Sequence, residues 1–315
     1  MIHKPMDVPE AFPVRKSKKQ KQAFRDAAVS YLQGLGYPVT VEKGSFGARN
    51  IVAGDPRTAK YLVAAHYDTC AGMIVPNLIT PCNPVTFILY QLAVVLLMFI
   101  PAIAVGIGVG MLTKNPALGK LAYGVCLLLD IGLMMFGPAN KHNANDNTSG
   151  VVTVLEMARS MPYDQRPKVC FVLFDLEEAG LIGSSSYRSR HKKESDGQIV
   201  LNLDCVGDGD EIRFFPGRKL KKNETMMAAL ETCCGCFGDK TVDIRRKGFS
   251  VYPSDQANFP YGVGICALRK SKIALYMGRI HTSRDVILDE TNVNILRAGL
   301  ISMIACAPLE EKGKE

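Results

Sequence analysis

The sequence has no internal repeat, no low-complexity linker and no apolar stretch within its first thirty residues. The first two absences argue against a repeat array or a string of tethered modules. The third predicts that the chain carries no cleavable secretory signal. Aromatic residues are missing beside the basic runs KSKKQK (16–21) and RKLKK (218–222), which hold much of the excess charge in a net +8. Without rings to stack on bases, these runs read as solvated faces or membrane-surface contacts, and no nucleic-acid partner is expected. A disulfide pattern is missing as well. Ten cysteines are scattered over 315 residues, with Cys170 and Cys205 in or beside apolar strands, as suits a reducing compartment. Cys233, Cys234 and Cys236 lack a second ligand pair at zinc-finger spacing, which argues against a structural zinc there.

Charge disappears altogether from residues 85–112, VTFILYQLAVVLLMFIPAIAVGIGVGML. As a helix this run measures about 42 Å at ~1.5 Å per residue, enough for a hydrocarbon core of about 30 Å. The short turn TKNPALGK leads into LAYGVCLLLDIGLMMFG, so the chain reverses and the two apolar segments are expected to form an antiparallel hairpin. Asp130 opposes insertion of the second segment by ~2.5–3.5 kcal/mol, which neighbouring leucines and isoleucines offset only marginally. The expectation is a multi-pass membrane attachment through residues 85–137. A hairpin folded onto the rest of the chain, or into an oligomer interface, is the alternative.

Elsewhere short apolar runs alternate with amphipathic segments. Residues 16–35, 149–160, 180–190 and 291–307 read as helices, and YPVTVE, NIVAG, KYLVAA, PKVCFVLF, GQIVLNLD, DEIRFF, KTVDI and GVGICAL as strands. This predicts an α/β fold, a mixed, mostly parallel central sheet with helices on both faces. One discontinuous catalytic domain is expected from residues 1–82 and 138–315, interrupted by a hairpin at 83–137.

In open α/β sheets reactive groups gather beyond the carboxyl ends of the strands. His66 and Asp68 follow KYLVAA, Glu177 and Glu178 follow PKVCFVLF, Asp204 follows IVLNL, Asp146 lies in the turn NANDNTSG, and His281 lies in RIHTSRD. The chain has five histidines, and two fall in this set. Each residue alone has an ordinary structural reading. Two imidazoles and several carboxylates converging on one face would repel or desolvate badly without a cation between them, so a divalent metal site is expected. Histidine and carboxylate donors without cysteine suit zinc. Two ions fit if one carboxylate bridges them, leaving a glutamate to take a proton from water.

The ordered motifs HYD, NANDNTSGV, FDLEEAGLIGSSSY, NLDCVGDG, PSDQANF and IHTSRD resemble metallopeptidase family 28, the co-catalytic zinc aminopeptidases and related exopeptidases. The resemblance covers about residues 61–68 and 143–284. It implies two zinc ions, one held by His66 and Asp204, the other by Glu178 and His281, with Asp146 bridging. It implies Glu177 as general base, Asp68 orienting His66 from behind, and a peptide substrate with a free N-terminus. The family's connection between Asp68 and Asp146 is short, whereas here it contains the hairpin. The hairpin must therefore root at the rim of the site, which would favour amphipathic or membrane-derived peptides.

Two other readings stand beside this one: a single-zinc glutaminyl cyclase-like enzyme, and a catalytically inactive scaffold on the same fold. The missing signal, the free cysteines and the basic N-terminus favour a cytoplasmic catalytic domain, while Lys114 and Lys120 in the hairpin turn pull the other way. Specificity is expected to lie in residues 249–259 and the loop after Asp204. The metal constellation serves aminopeptidase, carboxypeptidase and dipeptidase alike, so the sequence leaves that choice and the oligomeric state open.

Overall fold

A computed structural model describes residues 1–73, 75, 77–248 and 250–306. Helix α1 (Lys18–Gly34) starts where Ser17 and Gln20 cap each other: the Gln20 amide donates to Ser17 Oγ, and the Ser17 amide to Gln20 Oε1. The chain then forms β1 (Val39–Lys43), β2 (Arg49–Ala53) and β3 (Tyr61–His66) before entering the hairpin helices α2 (Pro84–Thr113) and α3 (Pro116–Phe136). It continues through α4 (Gly150–Ser160), β4 (Val169–Phe174), α5 (Ile182–Arg190), β5 (Ile199–Leu203) and β6 (Glu211–Pro216). Helix α6 (Glu224–Glu231), strands β7 (Gly235–Phe237), β8 (Lys240–Ile244), β9 (Gly262–Lys270) and β10 (Leu275–Tyr276), and helix α7 (Glu290–Cys306) complete it.

The strands form one sheet in the order β1-β2-β4-β3-β5-β9-β6-β8-β7, with β10 on β9. Its centre, β4-β3-β5-β9, is parallel, and the antiparallel pairings lie towards the margins. Every residue of β3, β4 and β5 is buried, which is why these strands read as unbroken apolar runs. Alternation divides their side chains between two cores. Tyr61, Val63 and Ala65 join Phe24 of α1, Leu155 of α4 and Leu300 of α7 on one face, and Leu62 and Ala64 join Tyr187 of α5 and Phe259 on the other.

Of the elements named above, α6, β7 and β10 go unmarked in the sequence. Each is too short to display a period. The final helix was expected to reach Ala307, which lies outside the described residues. All ten cysteines are free.

The hairpin leaves between β3 and α4. Asn83 and Asn115 cap its two helices, and Lys114 turns the chain with φ 51°. The helices approach closely at small residues: a Cβ on Gly119 would lie 2.6 Å from the Gly106 carbonyl oxygen. Both helices are long and apolar enough to cross a bilayer, and only 11% and 6% of their most apolar 18-residue stretches are buried. Outgoing and returning chains pair at the root through a bridge between Ala71 and Ala139, with the Gly72 amide donating to the Pro138 carbonyl at 2.9 Å and the Asn140 amide to the Cys70 carbonyl at 3.1 Å.

Helix α4 begins at Gly150, where a Cβ would overlap the Leu203 carbonyl and the Asn147 side chain. Gly150→Ala should therefore cost about 1–3 kcal/mol through overpacking. Denaturant unfolding measures this, and an unchanged midpoint would count against the close packing of α4 on β5.

Candidate metal centre at the ends of the central strands

Strands β3, β4 and β5 run side by side, with His66 in register with Phe174 at the end of β4. Their carboxyl ends therefore deliver His66 and Asp68, Glu177 and Glu178, and Asp204 to one place. Three non-glycine residues here hold left-handed backbone: Leu176 (φ 56°), Cys205 (φ 56°) and His281 (φ 61°). Such residues cost of order 1–3 kcal/mol each and persist where surrounding structure fixes them. Here they bend the chain sharply beside the acidic residues and at the second histidine.

The Asn-rich turn before α4 is the clamp. Asn145 Oδ1 accepts from the amides of Gly207 and Asp208 at 2.7 and 3.1 Å. Asn147 donates to the Leu203 carbonyl at 2.9 Å and accepts from the amides of Gly150 and Cys205 at 3.1 and 3.2 Å. Asp285 receives the amides of Asn145 and Asp146 at 2.7 and 3.0 Å. The Asp146–Asn147 peptide is cis. These bonds fix Asp146 between the two histidines, with Oδ1 3.4 Å from His66 Nε2 and Oδ2 3.0 Å from His281 Nε2.

All seven residues singled out from the sequence lie in this cluster. His66 Nε2 lies 3.6 Å from Asp204 Oδ1 and 4.0 Å from Glu177 Oε2, and His281 Nε2 lies 3.5 Å from Glu178 Oε2. His66 Nδ1 faces Asp68, 3.2 Å from its carbonyl oxygen and 3.6 Å from its carboxylate. Both carboxylate oxygens of Asp68 also accept backbone amides, from Glu177 at 3.0 Å and Glu178 at 3.3 Å. Asp68 thus ties the end of β3 to the loop that presents the glutamate pair.

Burial works against the histidine charges, but the surrounding acids prevail. Glu177, Asp146, Asp204 and Asp68 hold His66 well above its usual pKa, and Glu178 and Asp146 hold His281 at about 9. Burial raises Glu177 well above the carboxylate range, against the pull of His66 and with help from neighbouring acids, and lifts Glu178 to about 8. Asp146 moves the other way: burial raises it, but hydrogen bonds from His281 and His66 pull it below normal.

The donor set fits a divalent cation. Glu178 Oε1 and Asp204 Oδ1 are buried without a hydrogen-bond partner. Ligand atoms of His66, Asp146 and Glu178 lie within 4.8 Å of one another, as do those of His66, Glu177 and Asp204. Imidazole nitrogens and carboxylate oxygens at such separations suit zinc.

Three further residues belong to the site. Asp255, in the PSDQANF segment, is fully buried with both carboxylate oxygens unpartnered, and burial lifts it to about 7. Asp285 is likewise lifted to about 7 by burial and by Asp146. Both sit inside motifs visible in the sequence. Arg15 carries no local signal. Of the segment expected to set specificity, Phe249 lies outside the described residues; Tyr252 stacks on Phe215 and donates to the Asp204 carbonyl at 2.8 Å.

Arg15 is fully buried behind the cluster. Its Nε donates to the Tyr67 carbonyl, NH1 to the Phe12 carbonyl and NH2 to Thr148 Oγ1, at 2.5, 2.6 and 3.0 Å. Burial lowers its pKa to about 10, against the fields of Asp68 and Asp146, so it remains a cation at neutral pH. Removing one partner from a buried charged network costs ~3–5 kcal/mol. Arg15→Met is expected to lose that much stability in denaturant unfolding, and a loss below about 1 kcal/mol would contradict the role of Arg15 as counter-charge.

Comparison with known proteins agrees with this geometry. Aminopeptidase YwaD of Bacillus subtilis (strain 168) is 44% identical over 69 residues, a stretch spanning 20% of this chain and 15% of YwaD. The LapA aminopeptidase of Legionella pneumophila superposes with a TM-score of 0.57 at 14% identity, over 97% of this chain and 71% of LapA. The glutaminyl cyclase of Porphyromonas gingivalis superposes with a TM-score of 0.55 at 18% identity, over 95% of this chain and 94% of the cyclase. At these identities the two superpositions establish the fold, the zinc exopeptidase-like sheet. Residues 131–302, more than half of the sequence and including the Asn-rich turn, the glutamate pair, Asp204 and His281, match peptidase family M28, and the chain belongs to that family.

Proposed function

We propose that the protein is a membrane-attached, zinc-dependent exopeptidase of the aminopeptidase type. The observation that carries this reading is the position of Asp146, whose two oxygens face two different histidines. His66 and Asp204 would hold one zinc ion, Glu178 and His281 a second, and Asp146 both. Zinc bound there would supply Lewis acidity, polarising the scissile carbonyl and lowering the pKa of water so that it can be deprotonated to a nucleophile near neutral pH.

The remaining chemistry belongs to the chain. Glu177 is the general base: its carboxylate accepts a proton from the attacking water and returns it to the leaving amine. Asp68 holds His66 and the glutamate loop in mutual register through its three contacts. Arg15 offsets part of the negative charge from behind.

A single-zinc cyclisation of N-terminal glutamine is the second reading, favoured by the equal structural likeness to glutaminyl cyclases. N-terminal glutaminyl peptides separate the two, because hydrolysis releases free glutamine and cyclisation leaves a pyroglutamyl peptide. An inactive scaffold, the third reading, predicts neither product. Replacing the base without touching the ligands tests the mechanism: Glu177→Gln should retain zinc and lose activity on aminoacyl-nitroanilides and dipeptides by ~10²–10⁴. A Glu177→Gln variant as active as the parent would overturn the assignment.

The exposed apolar hairpin supports the membrane attachment. Alkaline carbonate should leave the full-length protein in the membrane pellet, and quantitative release would contradict this.

A further inference from the structure

Two cavities meet beside the cluster. One, of about 210 Å³, has Glu178 and His281 on one side and Val94 of α2 and Met134 and Met135 of α3 on the other. The hairpin therefore walls the reaction chamber directly. The second, of about 760 Å³, runs past Asp68 and Glu178 along the start of α1, under Lys16, Lys18 and Lys19. Lys16, Met135 and Glu178 line both, so the cavities adjoin there. Among the described residues these three lysines make no ion pair. Lys16 is half-buried, and its Nζ donates to the Met135 carbonyl at 2.8 Å. Lys21, by contrast, is already spent on Asp175 at 2.7 Å.

An apolar pocket and an uncompensated cation meeting beside a candidate metal ligand match one chemical unit. An amino acid at the end of a peptide carries its side chain and its carboxylate on the same Cα. An internal residue is followed by another residue ~3.8 Å on, with no charge of its own at that point. Resting on the exopeptidase reading above, we propose that the hairpin root and the basic arm form the leaving-side subsite. It takes a C-terminal apolar residue by its side chain and its free carboxylate together. The substrates are accordingly short peptides, dipeptides ending in an apolar residue in particular. Val94, Met134 and Met135 determine the side chain, and Lys16 reads the carboxylate. The hairpin thereby couples membrane attachment to specificity, because the part of it nearest the sheet, residues 91–94 of α2 and the end of α3, forms the pocket wall.

The test uses the full-length zinc-loaded protein in mild detergent, with Ala-Leu, Ala-Leu-amide, Ala-Gly and Leu-Ala as substrates. Wild type should favour Ala-Leu over each of the others by about tenfold or more in kcat/KM, the scale of one charged hydrogen bond or one buried aliphatic side chain. Lys16→Met should abolish the difference between acid and amide. Val94→Trp, which fills the pocket, should abolish the difference between Ala-Leu and Ala-Gly. Calorimetric binding of Ala-Leu and its amide to Glu177→Gln gives a readout without turnover. Selective binding with no hydrolysis by wild type would keep the subsite and discard the exopeptidase reading. Hydrolysis without discrimination, or variants that keep the wild-type ratios, would discard the subsite and leave the exopeptidase reading standing. Should Lys16→Met instead weaken retention on phosphatidylglycerol vesicles while the peptide ratios hold, the lysines belong to the lipid surface and the proposal fails.

Discussion

Two imidazoles and several carboxylates pressed into one buried pocket form an arrangement that water cannot stabilise and that hydrogen bonds satisfy only in part. Asp146 lies at its centre, and much of the surrounding structure serves to keep it there. The Asn-rich turn, Asp285, the amides of Gly207 and Asp208 and the packing of Gly150 against β5 fix its carboxylate between His66 and His281. The parallel centre of the sheet brings the other donors to the same edge, and left-handed residues at Leu176, Cys205 and His281 bend the chain around it. Stability is sacrificed locally to hold polar groups where a cation can join them.

The hairpin follows from the same connectivity. It is inserted between His66 and Asp146; its root closes through the bridge between Ala71 and Ala139, and the Met73 amide donates to the His281 carbonyl at 2.7 Å. Here Val94 of α2 and Met134 and Met135 at the end of α3 face Glu178 and His281 across a small cavity. The apolar hairpin and one wall of the cavity beside the cluster are one element.

Much of this was legible in the sequence because the chemistry sits at strand ends. His66, Glu177, Glu178 and Asp204 each follow an apolar run, and that placement alone fixes the edge of the sheet on which they meet. The two long helices were legible from length and absence of charge. What stayed hidden depends on contacts between distant residues. Arg15 reaches Thr148 across 133 positions, and nothing in the basic arm distinguishes it from the lysines that follow it. Asp68 looked like a partner for His66 alone, whereas its carboxylate also holds the glutamate loop. The three-residue β7 and two-residue β10 were too short to show any period, and the antiparallel margins depend on pairings that periodicity does not encode.

Cations on either side of Asp146 would give both histidines and the unpartnered carboxylate oxygens their missing partners. Anomalous diffraction from zinc-soaked crystals, recorded at the zinc absorption edge, tests this most directly. The account predicts two peaks flanking the Asp146 carboxylate, one against His66 and Asp204 and the other against Glu178 and His281. A map with no peak beside Asp146 would contradict it.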